Sequence, residues 1–304
     1  MSRRFSPFWM SAGEEKLYEP RYRTGRFTGI QNPDGSLLFT PVPAQQADPS
    51  GTGWILAQSD TADPRGGFEY SLISVRKDPT TGEPLLSPVR TLPVQRFTTP
   101  APAVQCPGSG FDLDTLDGRL EHAVSAIDPH VGAQVVWTAM AVFGGGGSEE
   151  RWFEIRPGGA GGPGIVQHGV VTDPGRFVWN GAISPDRTVT GGGRAHGSAM
   201  VMGFTTSSST QCADVEMVSK ADAASQTAPI VVEAPGVSMD DFSCTGNLCR
   251  WGDYSGASPR SRCEPRGAGR SSLAGAGRPG LLGGTTGHVG VGGSPLTSDE
   301  GVRP

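Results

Sequence analysis

Apolar residues along the chain come in short runs that alternate with small or polar positions, and nearly every run stops at Gly, Pro, Asp or Ser. Alternation with period two bounded by turn residues is the mark of half-buried strands, and no stretch keeps a helical period over several turns. The pattern predicts strands in GWILAQSD, FEYSLISVRKD and SPVRTLPVQ, and then in HAVSAI, AQVVWTAMAVF, ERWFEIRP and IVQHGVV. It continues with RFVWNGAISPD, GSAMVMGFTT, ADVEMVSK and APIVVEAPG, and a last set begins at DDFSCTGNLCRWGDYSG. The longest helix candidate, LDTLDGRLEHAVSAID, contains a Gly and reads better as an approach loop followed by a strand.

These strands fall into groups of four. Trp152 and Val215 occupy equivalent positions 63 residues apart, and Ile165 and Ile230 lie 65 apart. Four-stranded units at that period predict an all-β chain of the β-propeller type, in which each blade buries its faces against its neighbours. A β-sandwich is the rival architecture, and the register of the repeat favours the propeller. About three to four blades are visible, fewer than a typical ring, so the expectation is a propeller fragment. The chain divides into an N-terminal segment 1–48, irregular or a partial first blade, blades over 49–257, and a tail over 258–304.

Composition sharpens the picture chiefly by exclusion. The 304 residues carry a net charge of −5 and only 18% charged residues, with no basic stripe among aromatics, so nucleic acid is not an expected partner. No apolar run approaches a membrane span, and the basic N-terminus lacks the apolar core of a secretory signal. Gly (46) and Pro (26) are abundant and nearly all positive charge is arginine, which points to a GC-rich genome and says nothing of function. Cys106, Cys212, Cys244, Cys249 and Cys263 form no C-x-x-C pair and have no histidine at zinc spacing. Cys244 and Cys249 bracket a Gly-Asn turn, which suits either a local disulfide or two buried thiols.

Candidate chemistry is sparse. Asp112, Asp114, Asp117 and Gly118 resemble a calcium loop with the third Asp and the Gly each one place late, so a turn-stabilising cluster is the expectation and no cofactor is called for. The histidines form no metal or catalytic spacing, G-x-S-x-G is absent, and GGGG at 144–147 reads as a hairpin connection. Trp137, Trp152, Trp179 and Trp251 suit either sugar stacking or packing between sheets, and packing is the expectation. Arg119, Arg151, Arg187 and Arg250 suit either a grip on a carboxylate or solvated strand ends. In RWGDYSG, Arg250, Asp253 and Tyr254 supply a charge pair and a hydroxyl between glycines, fit for a ligand site or for a hydrogen-bonded seam.

The run DTLDGRLEHAVSAID, RWFEI, FVWNGAISPD, MVMGFTTSSST and CRWGDYSGASP resembles a family of secreted bacterial propeller proteins, common in actinobacteria, over roughly Trp54 to Pro259. The resemblance implies an extracellular protein longer than this chain, with Met1 an internal or mispredicted start. Relatives continue past RWGDYSG with a tryptophan-containing strand. Residues 258–304 instead hold six Arg, twelve Gly and no aromatic, and read as a disordered linker or an out-of-frame translation. The functional expectation is a non-catalytic surface module that binds a glycan or a protein, with Arg187, Arg250, Asp253 and Tyr254 as ligand-binding candidates. The alternative is an incomplete or degenerate sialidase-like glycoside hydrolase, although the Asp boxes of such enzymes are absent.

Overall fold

A computed structural model describes residues 26–47, 52–63, 66–159, 161–186, 197–221, 223–252, 255–259, 270–274 and 288–290. The chain is all-β, with no helix among the described residues, and its antiparallel sheets are curled.

The first sheet comprises β1 (Phe39–Pro43), β3 (Thr52–Gln58), β4 (Gly67–Lys77), β5 (Pro84–Leu86) and β6 (Arg90–Phe97), while β2 (Gln45–Gln46) crosses to the next sheet. A short strand, β7 (Asp112–Leu113), follows. The second sheet is a meander of β8 (His122–Asp128), β9 (Ala133–Val142), β10 (Glu149–Arg156) and β11 (Gly164–Val171), with β2 added in parallel beside β8. A third meander holds β12 (Phe177–Pro185), β13 (Met200–Ser207), β14 (Asp214–Lys220) and β15 (Ile230–Glu233). Then β16 (Leu248–Cys249) pairs in parallel with β7. Last, β17 (Gly256–Pro259), β18 (Arg270–Ala274) and β19 (His288–Gly290) make a three-stranded sheet. The expected change of character at Ser258 therefore falls inside β17, and residues 250–252, expected to open a strand, lie outside any strand.

Alternation along the strands assigns the faces. Leu56, Tyr70, Leu72, Leu92 and Phe97 of the first sheet pack on Ala123, Val136, Met140, Phe153 and Ile155 of the second. The opposite face of the second sheet, with Val135, Trp137, Ala139 and Trp152, meets Val178, Ile183, Met202 and Phe204 of the third. Ala182, Val201 and Met217 of the third sheet then cluster with Ala257 of β17. Trp137, Trp152 and Trp179 are all buried, so these tryptophans are core, as expected.

A separate layer of loops crosses one end of the stack. Gln105 donates to the carbonyls of Phe111 (2.8 Å) and Met239 (3.0 Å) and accepts the Met239 N–H at 2.7 Å, tying together segments 134 residues apart. Cys106 is bonded to Cys212 and Cys244 to Cys249. The first bridge joins this layer to the β13–β14 connection of the third sheet; nothing in the local spacing of Cys106 and Cys212 announces it.

Candidate functional site

The site is built by an interrupted ladder in the first sheet. Strand β4 pairs with β5 at one end, Arg76 opposite Leu85, and with β6 further along, Leu72 opposite Arg90. Between them the sequence PLLSPV places Pro88, which has no N–H to give a ladder, so one edge strand is broken into two. Ser87 patches the break: its N–H donates to the Ser74 carbonyl at 2.9 Å, and its Oγ accepts the Ser74 N–H at 2.9 Å. The interruption leaves a recess of about 420 Å³, with Arg76 and Arg90 on its two sides.

Trp54 on β3 forms the recess wall and is held in place. Its indole N–H donates to Gln134 Oε1 at 2.9 Å, and the Gln134 amide nitrogen donates to the Thr52 carbonyl at 3.1 Å and to Ser125 Oγ at 3.3 Å. The second sheet thus fixes a ring that belongs to the first. Gly158, in the loop after β10, closes the other side, its backbone so near that an added Cβ would lie 3.7 Å from the Trp54 ring.

Electrostatically the recess is one-signed. Arg76 and Arg90 have no carboxylate partner among the described residues, and the lining includes no Asp, Glu, His or Cys. The arrangement offers an aromatic face and two planar cations with bidentate donor geometry, which suits an anion carried on a ring. It offers no paired carboxylates for acid–base hydrolysis of a glycoside.

The residues singled out from sequence fall elsewhere. Arg250 is exposed between β16 and β17, where its carbonyl accepts from Ser243 Oγ at 3.4 Å, and it does not line the recess. Arg187, Asp253 and Tyr254 lie outside the described residues, as does Cys263. Arg119 is held by Asp117 through two 2.7 Å contacts, and Arg151 is paired with Glu149 at 3.0 Å. Asp114 Oδ1 accepts the Leu116 N–H at 2.8 Å, so the Asp114 and Asp117 carboxylates are both used in local bonds. No group of three His, Cys, Asp or Glu side chains is placed to hold a metal among the described residues.

Trp54, Arg76 and Arg90 were not singled out by sequence. The proline pair in PLLSPV, flanked by arginines within otherwise apolar strands, was the available signal. A search against known proteins finds no family model, curated protein or solved structure that matches the chain.

Proposed function

We propose that the chain is the blade-forming part of an exported β-propeller and acts as a non-catalytic binding module that holds a glycan in the Trp54 recess. The observation that carries the reading is the pairing of an immobilised indole with two uncompensated guanidiniums in a recess without acid–base groups. Indole faces stack on sugar rings, and a ring held by its own hydrogen bond loses little entropy on binding.

Three further features support the propeller and its export. The second and third sheets are consecutive meanders, and Trp152 and Val215, like Ile165 and Ile230, fall on strands of the same rank in each. The sheets stack face on face in chain order, as blades do. Two disulfides suit an oxidising compartment.

The test is a glycan array probed with the wild-type chain and with Trp54→Ala. The reading expects retention on a defined set of glycans by the wild type alone. Retention unchanged by the substitution would refute it, and so would glycoside turnover at this recess.

A further inference from the structure

A second recess, of about 440 Å³, lies on the same seam between the first and second sheets. Gln95 and Phe153 line it, together with Glu149, Arg151, Ile165 and His168. The two recesses are neighbours along both walls. On one wall β6 runs from Arg90 in the first recess to Gln95 in the second, which at strand rise is roughly 17 Å. On the other wall β10 runs from Phe153 in the second recess to the Pro157–Gly159 loop of the first. Between them Leu92 and Val94 close the floor of the seam, and a chain spanning both recesses passes over its outer edge, where Ile165 is exposed.

The two ends differ in charge. Arg151 in the second recess is already neutralised by Glu149, whereas Arg76 and Arg90 in the first are not. The second recess supplies the exposed His168 ring instead, backed by the buried Phe153 ring at 6.0 Å between centroids and 21° between planes. The chain as a whole is negative, so attraction for an anion at the first recess is a local property of Arg76 and Arg90 and not of the general field.

We infer that the ligand is an extended acidic oligosaccharide, its carboxylate or sulfate groups on Arg76 and Arg90 and its further units running along the seam to the Phe153–His168 stack. This inference rests on the glycan-binding reading above and adds to it the charge and the length of the ligand. Charge-assisted bonds from two guanidiniums set the preference for an anion, and the second stacking surface rewards a chain over a single sugar.

Isothermal titration at low salt tests it with five probes: hexagalacturonate, its full methyl ester, galacturonic acid, a chondroitin sulfate hexasaccharide and oligothymidylate. One of the two acidic hexasaccharides, whichever carries the matching anion, binds at least about tenfold tighter than the methyl ester and than the monomer. Arg76→Ala with Arg90→Ala removes the first difference, and His168→Ala shrinks the second; all three side chains are exposed, so the variants fold. Equal affinity for the ester, no gain with length, or tighter binding of oligothymidylate overturns the inference. Neutral glycans that bind through Trp54 while both acidic probes fail would overturn it yet leave the binding module standing. Binding indifferent to Trp54→Ala would remove the module itself.

Discussion

The second sheet presents two seams, and one strand supplies both. In ERWFEIR, Arg151, Phe153 and Ile155 face the first sheet, while Glu150, Trp152 and Glu154 face the third. The first seam splits at its outer edge into two recesses. The second is closed. There Trp137 and Trp152 stack at 6.1 Å, the Trp152 indole donates to Gln226 Oε1 at 2.6 Å, and the Trp152 ring presses on Gly169, where a Cβ would come within 2.6 Å of it. The difference follows from the ladders. The third sheet is a continuous meander, whereas Pro88 breaks the edge of the first. Closure packs the core, and interruption leaves an open recess.

The closed seam also buries acid. Glu150 is fully buried, with Oε1 accepting the Gly181 N–H at 2.6 Å and Oε2 unpartnered. Burial pushes its carboxyl up to about 8, against which the Gly181 bond pulls only weakly. Burial does the same to Glu154, also to about 8, with the nearby Asp128 adding to it. Glu121 is raised as well, by burial and by the charge of Glu150. At neutral pH Glu150 and Glu154 are held largely as neutral acids, which is how an apolar seam tolerates them.

The sharpest way to break the contrast is Trp152→Ala, which opens a large cavity in the closed seam and costs about 3–5 kcal/mol, read from the urea midpoint. A loss below ~1 kcal/mol would mean that the seam is not the main support. Next is removal of the clasp. Cys106→Ser with Cys212→Ser frees a link between residues 106 apart and should cost about 2–5 kcal/mol, with oligosaccharide affinity unchanged, because the bridge lies away from the open seam.

The third prediction concerns pH. Below about 4.5 both folded and unfolded Glu150 are protonated; between there and about 8 the folded chain keeps a proton that the unfolded chain has released. Stability is therefore full on the acid side and falls as pH rises through that window, by up to about 1.4 kcal/mol per pH unit for each such group. Glu150→Gln together with Glu154→Gln should flatten urea midpoints measured at mildly acidic and mildly alkaline pH. An unchanged slope would show that other groups govern it. The smallest stability effect belongs to Trp54→Ala in the open seam. Its side chain is only partly buried, so the cost should stay under about 2 kcal/mol while glycan retention is lost.

The strands were legible because the sequence punctuates them. HAVSAI, AQVVWTAMAVF, ERWFEIRP and IVQHGVV coincide with β8 to β11, and the candidate helix over LDTLDGRLEHAVSAID starts at the end of β7 and is then loop until β8 begins at His122. Local alternation and Gly or Pro stops are enough for that. The burial of the tryptophans was legible for the same reason, since bulky residues in step on neighbouring strands must share a face. The recess was not legible. It depends on Gly158 meeting Trp54, on Gln134 reaching the indole, and on two arginines 14 positions apart converging, all of which are tertiary facts. The Cys106–Cys212 bridge and the Gln105 clamp escaped for the same reason, joining segments more than a hundred residues apart.

The contrast between seams is tested most directly by hydrogen exchange with and without a saturating acidic hexasaccharide. The account predicts new protection in the segments of the open seam, 72–76, 85–95, 157–159 and 165–170, and unchanged exchange in 177–185 and 200–207 of the closed one. Protection confined to the neighbourhood of Arg250, or spread equally over both seams, would contradict it.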